Sequence, residues 1–411
     1  MPLLGGNRWV LRMKTLLLRL IDWALVPLSL GVYHVLWIVD FFRPVRIGML
    51  NDKGRISIMI SYIEPMLRRL ERDGERKNAI IIVLNLGRTP NEQLARMYRR
   101  EVHLLDDRRW IGRRFFRILY GRYARNSKLD AELRSGITTP YWNYWNSGHP
   151  VLSFTCEEEI RGRNILLSMG LAKDAQFMCF CTREASYYKK LHSDWTRWDW
   201  EDTFHRNSDI EDYILAAQYC MSQDVCTLRV GLAVDRPLPR RMKSGIIDYS
   251  THFRSEFGDI FLGAKCKFVL SGVASFWWIA SAFNRPVVWA NMIPITYRPV
   301  RHTDLFICKK LWSIEKRCLV TFREMIDAGA RYDWKNNCIS DGIEVIDNTP
   351  DEILAVTKEM NERLDGIWTA SEEKEELQKR FQALYSPEHQ SFGFKSRIGA
   401  DFLRHNQALL N

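Results

Sequence analysis

The chain has 411 residues, 46% hydrophobic and 27% charged, which excludes a disordered or fibrous protein and exceeds what one compact core supports. The 60 Lys and Arg against 49 Asp and Glu leave a net charge of +11, a field that attracts phosphates, nucleic acid or anionic lipid. Nine scattered cysteines contain no CxxC pair, which argues against a disulfide framework and fits a reducing, cytosolic compartment.

The first expected element is a hydrophobic membrane-associating segment, residues 1–44. Its uncharged centre, Trp23 to Val39, is at the short limit for a spanning helix and contains Pro27 and His34. No small-residue cleavage site follows, so a signal peptide fits poorly. An interfacial or shallowly embedded anchor is the favoured expectation, ahead of a span or a buried core helix. A second segment points the same way. On a helix from Trp110 to Arg125, Ile111, Phe115, Phe116, Ile118, Leu119 and Tyr123 share one face, and Arg113, Arg114, Arg117 and Arg125 the other. Arg113, Arg114, Phe115, Phe116 and Arg117 are therefore expected to bind a membrane surface. An ordinary surface helix with solvated arginines is the competing explanation. Nucleic acid is not expected as a partner, because no helix-turn-helix, RNP, KH or zinc-finger pattern is present.

Strands and helices then alternate: strand Val45 to Leu50, helix Ser57 to Asp73, strand Asn78 to Leu84, helix Asn91 to Arg100, strand Val102 to Leu105. Residues 127–150 look like a linker. A second series opens with the capping box Thr155-x-x-Glu158, followed by strand Gln176 to Thr182 and a helix capped by Ser208-x-x-Glu211. Strand Val225 to Val230 comes next. Strand Phe268 to Leu270 stops at Ser271-Gly272, with helix Val273 to Phe283 expected at once and strand Val287 to Ala290 after it. Strand Ile343 to Ile346 and the box Thr349-Pro350-Asp351-Glu352 close the series. The simplest architecture is two α/β domains facing a cleft.

Ligands of open α/β sheets bind outside the carboxyl ends of the strands. Those ends carry Arg183-Glu184, His205-Arg206-Asn207, Arg229, Ser271-Gly272 and Asn291. Arg183, Arg206 and Arg229, with free N–H groups expected after Ser271, form a diphosphate-binding set. Each arginine taken singly is better explained as a surface ion pair; their coincidence at strand ends carries the argument. Glu184 and His205 are the acid–base candidates, although Glu184 serves equally well as a salt-bridge partner of Arg183. Asp259 suits holding an arginine or a base edge. Trp195, Trp198 and Trp200 suit stacking on sugar or base, or packing in a lid. HExxH, Walker A, GxSxG and DxD patterns are absent from the sequence, so no metal is expected.

The strings RIGML…GRIS, NEQLARMYRR, CTREASYY, HRNSDIEDYILAA, LRVG, DIFLGAKCKFVLSG…FNRPVVWANMIP and IEVIDNTPDEI resemble a family of bacterial glycosyltransferases of surface-polysaccharide biosynthesis, over most of residues 45–410. That resemblance implies a GT-B fold, with a Rossmann-like acceptor domain at 45–170 and a Rossmann-like nucleotide-sugar domain at 171–385. Residues 386–411 would pack back on the N-terminal domain. More distantly, Arg183 and DIFLGAKCKFVLSGVAS are similar to the donor site of fucosyltransferases, which have a histidine where this chain has Cys181. The likeness implies that Arg183 and the Ser271–Ser275 turn, with Ser271, Gly272 and Ser275, hold the donor diphosphate and that Asp259 lies near the nucleoside; the strand-end reading adds Arg206, Asn207 and Arg229 to the diphosphate set and Asn291 to the nucleoside side. It implies a metal-independent hexosyl- or fucosyltransferase-like enzyme that uses a nucleotide-sugar as substrate and needs no cofactor. The acceptor would be a lipid-linked glycan, and the location the cytoplasmic face of the inner membrane, peripheral or N-terminally anchored. A membrane or nucleic-acid adaptor, a pyruvyl transferase and a sugar epimerase remain alternatives.

Overall fold

The computed structural model describes residues 5–50, 54–106, 109–133, 141–186, 202–234, 236–239, 245–299 and 301–411. Trp195, Trp198 and Trp200 lie outside them. The chain divides into two compact units, Met1–Arg134 and Ser135–Asn411.

The first unit opens with a single helix, Gly5–Phe42, whose stretch Met13–Phe42 is long and apolar enough to cross a membrane by length and composition. Strands β1 (Val45–Leu50), β2 (Ile80–Asn85) and β3 (His103–Asp106) form a parallel sheet in that order, in register from Val45↔Ile80 to Leu50↔Asn85 and from Ile82↔His103 to Asn85↔Asp106. The near-continuous β-branched run of β2 is what a strand covered on both faces needs. Helices Ile56–Arg72 and Glu92–Arg99 connect the strands. The amphipathic helix is real from Trp110 to Ile118 but gives way to a π-helical turn, Leu119–Ala124.

The second unit is built on seven parallel strands: β4 (Phe177–Cys181), β5 (Cys226–Arg229), β6 (Ile247–Asp248), β7 (Val269–Ser271), β8 (Val287–Met292), β9 (Leu305–Cys308) and β13 (Arg397–Ile398). Their spatial order is β13-β9-β8-β7-β4-β5-β6. The chain steps outward from β4 to β6, returns to the centre at β7, and steps outward the other way. This is the doubly wound dinucleotide-fold order with one strand added, and its direction reverses between β4 and β7. Strands β10 (Lys310–Ser313), β11 (Cys318–Leu319) and β12 (Ile343–Ile346) form a separate antiparallel excursion.

Several expected boundaries move. The first unit ends at Arg134 rather than 170, because helix Cys156–Ser168 packs within the second unit. Gly162 meets Phe261 so closely that a Cβ would come within 1.9 Å of its ring, and Lys265 pairs with Glu159 at 2.6 Å. The 386–411 segment contributes β13, paired with β9, and helix Ala400–His405, whose first N–H donates to Glu359 at 2.7 Å. It therefore belongs to the second unit's sheet. The capping boxes at Thr155 and Thr349 form as expected. The one at Ser208 does not: Asp209 caps a 3-10 turn, Ile210–Tyr213, that leads into helix Ile214–Ser222. The Ser208 hydroxyl is instead 3.2 Å from the Tyr213 hydroxyl.

Candidate functional site

The reversal point joins the ends of β4 and β7. The Gly272 N–H donates to the Cys181 carbonyl at 2.9 Å, and Cys181 Sγ lies 3.4 Å from Ser271 Oγ. Gly272 is small for a reason: a Cβ there would lie 3.0 Å from Ser208 Oγ and 3.1 Å from the Tyr213 hydroxyl. The helix expected at Val273 starts only at Trp277. Between them Ser275 sits in a half-buried turn, and the helix opens with Trp277 stacked on Trp278 (4.1 Å) and tilted against Trp289 (5.1 Å). Ser271 is fully buried and its hydroxyl donates to the Gly272 carbonyl at 2.8 Å. The anion site expected of a helix N-terminus directly after Ser271 is therefore not formed.

What gathers at this edge instead is a cationic loop. Arg183, just past β4, is buried and donates to the Thr203 carbonyl (2.9 Å) and hydroxyl (2.8 Å). Lys309, just past β9, is buried and donates to the carbonyls of His205 (2.8 Å) and Asn207 (2.7 Å) and to Asp347 (2.6 Å). Arg206 pairs with Asp333 at 3.2 Å. The His205 ring nitrogen Nε2 donates to the Tyr332 carbonyl at 2.9 Å, which leaves Nδ1 as an acceptor. Burial pushes the His205 pKa down to about 4, reinforced by the charges of Arg206, Lys309 and Arg183. The imidazole is thus neutral at pH 7. Four buried polar atoms here have no hydrogen-bond partner among the described residues: Thr182 Oγ1, His205 Nδ1, Arg206 Nε and Asn207 Oδ1. Buried polar groups in folded proteins are nearly always satisfied, so such a concentration points to a polar ligand.

The depressed His205 pKa has a consequence for stability. The folded state binds this proton less tightly than the unfolded chain, whose histidine titrates near 6.5. The contribution is complete above about pH 6.5 and is lost as pH falls towards 4. The thermal midpoint of His205→Gln should therefore fall less than that of the natural chain between pH 7.5 and 4.5, measured in parallel melts.

Other expected site residues are placed elsewhere. Arg229 is fully buried, donating to Glu184 (2.7 Å) and the Arg236 carbonyl (2.7 Å), with Asp248 at 3.6 Å. It is an internal counter-ion rather than a diphosphate ligand. Glu184 is its partner, so its carboxylate is engaged rather than a free base. Burial acts to raise the Asp248 pKa, but bonds from Leu238 N–H, Ser250 and Thr251 and the Arg229 charge outweigh it and hold it low. Asp259 lies in helix Glu256–Lys265, paired with Arg254 at 2.8 Å and bonded to the Tyr249 hydroxyl at 3.2 Å. Of its two expected roles it has that of holding an arginine. Asn291 is fully buried in a left-handed conformation (φ 53°) and exchanges bonds with Asn348 (2.7 and 2.6 Å) and Tyr213 (3.2 Å). These bonds pin β8 to the β12 exit, which gives Asn291 a structural role.

The membrane residues are divided as well. Phe116 is buried and Phe115 half-buried against the first helix, and Arg114 is held by Asp22 through two bonds of 2.6 Å. Arg113 and Arg117 are exposed. Sequence reasoning missed Lys309, whose signal was the apolar run Leu305–Cys308 before it, and the first unit's own strand-end cluster. There the Thr89 hydroxyl donates to Asp106 at 2.6 Å, and the buried Asn85 amide accepts from Gly87 N–H at 3.1 Å.

No family model matches the chain, and no curated protein matches it. Among solved structures it is similar to the ADP-heptose lps heptosyltransferase II of E. coli, at 13% identity and TM-score 0.41, over 72% of this chain and 98% of that one. It is similar to a family 9 glycosyl transferase of Veillonella parvula, at 11% identity and TM-score 0.36, over 64% and 86%. A third match is the E. coli heptosyltransferase WaaC solved with ADP-2-deoxy-2-fluoro heptose, at 11% identity and TM-score 0.24, over 66% and 68%. At these scores the likeness assigns neither activity nor site. The expected similarity to fucosyltransferases finds no support in them.

Proposed function

We propose that the protein is a nucleotide-sugar-dependent glycosyltransferase of the GT-B kind, which transfers a sugar to a glycan acceptor in bacterial surface-polysaccharide synthesis. One observation carries this reading: three cations and four unpartnered polar atoms converge where the doubly wound sheet reverses direction. Nucleotides bind at that position in open α/β sheets. Arg183, Arg206 and Lys309 would stabilise the charge that develops on the departing nucleoside diphosphate, held in place beforehand by Thr203, Asp333 and Asp347. Neutral His205 would accept a hydrogen bond from a donor hydroxyl through Nδ1. With a pKa near 4 it is too weak to deprotonate an acceptor at neutral pH. The base would then come from another part of the chain.

The test is a thermal-shift series with ADP, UDP, GDP, CDP, CMP and dTDP. One of these should raise the unfolding midpoint by mass action, because binding adds about 2.7 kcal/mol of stability at a hundredfold excess over its dissociation constant. No shift with any member of the series would overturn the proposal.

A further inference from the structure

The helix Gly5–Phe42 has two unlike faces. At about 100° per residue, Asp22, Val32, Tyr33, Leu36, Val39 and Asp40 fall on one half of its circumference, and all six meet the first unit. Asp22 holds Arg114, Tyr33 stacks on Tyr123 at 5.8 Å, and Val32, Leu36 and Val39 pack against the core around Phe116 and Leu119. Asp40 accepts from Val45 N–H at 2.7 Å and pairs with Lys128 at 2.9 Å. The other half carries Leu16, Leu20, Trp23, Ile38, Phe41 and Phe42, which are 53–83% exposed. Exposed His34 shares this half, but the remainder is apolar, and an apolar face of this length is not stable against water.

Two magnitudes decide how it is covered. From Asp22 to Asp40 the helix runs about 27 Å, and it touches the folded unit along that whole length. A span would need about 30 Å of helix free to enter hydrocarbon, together with burial of the Asp22–Arg114 and Asp40–Lys128 pairs in it. The charge around the helix names the partner. Arg113, Arg117, Arg122 and Arg125 are exposed and form no ion pair among the described residues, while Asp22 and Asp40 are already neutralised internally.

We propose that this helix is a monotopic anchor: it lies in the plane of an anionic membrane surface, with its Trp23/Phe41 face in the acyl boundary and these arginines on lipid head groups. The membrane surface is one part of the glycosyltransferase reading, but its test needs no nucleotide, so either can fail alone.

The full-length protein is floated with sealed vesicles of phosphatidylcholine, alone or with about 30 mol% phosphatidylglycerol. Binding should favour the anionic vesicles and weaken with salt. Trp23→Glu combined with Phe41→Glu should lower the bound fraction about tenfold or more. Because both side chains are exposed, the unfolding midpoint should not change. Arg113→Glu with Arg117→Glu should abolish the preference for anionic vesicles. For topology, Gly6→Cys should react with an impermeant maleimide added outside the vesicles, read by peptide mass at that position. Protection until detergent is added would mean a span and overturn the proposal. Absence of flotation would overturn it too, as would a lipid-free dimer that the Trp23 and Phe41 substitutions dissociate and that binds no vesicles.

Discussion

Arg229→Ala should destabilise the second unit by about 3–5 kcal/mol, the cost typical of removing one partner from a buried ion pair. The arginine and Asp248 side chains are each 1% exposed and Glu184 is 11% exposed, so the substitution strands two carboxylates away from water. Urea unfolding at pH 7 measures this directly. The loss should shrink at low pH, because Asp248 is held below its ordinary pKa and its share of the stability is present only while it is ionised. Replacing all three together, as Arg229→Met, Glu184→Gln and Asp248→Asn, should recover much of the loss. A mildly destabilised Arg229→Ala that no longer binds nucleotide would instead restore the ligand role expected from sequence.

Arg183→Ala should have the opposite profile. Its guanidinium makes two hydrogen bonds to Thr203, and losing bonds of that kind puts the stability cost near 1–3 kcal/mol. The nucleotide-induced stabilisation should vanish, because that cation is placed at the reversal point between β4 and β7. Isothermal titration of the folded variant against whichever nucleotide stabilises the natural chain gives the measurement. An affinity within twofold of the natural chain would remove Arg183 from the site. Together the two variants separate an arginine that holds the fold from one assigned to the ligand, which their identical chemistry and strand-end positions do not.

The periodic signals translated well. The apolar run at β2, the alternation of strands and helices, and the boxes at Thr155 and Thr349 depend on neighbours a few residues apart, and each formed where expected. Boundaries set by distant partners moved. Ser208 is expected to cap a helix and instead meets Tyr213, in a space that Gly272, just past the end of β7, leaves open to both hydroxyls. The helix after Ser271 begins only at Trp277, whose ring lies 5.1 Å from Trp289 of β8. The amphipathic face at Phe115 and Phe116 was legible, but what it faces was not: the first helix covers it, and that helix turns its own far side outward.

The sequence by itself determined the class of architecture, the strand ends on which charge would collect, and a long apolar segment at the start of the chain. Those follow from local hydrophobic pattern and residue type. Only the tertiary structure decided which arginine is a counter-ion and which faces the reversal point, because ion pairing depends on which carboxylate lies within about 4 Å in space. It likewise decided that the apolar helix lies along its domain: one amphipathic pattern serves a span, a core helix or an in-plane anchor until the packed half of its circumference is known.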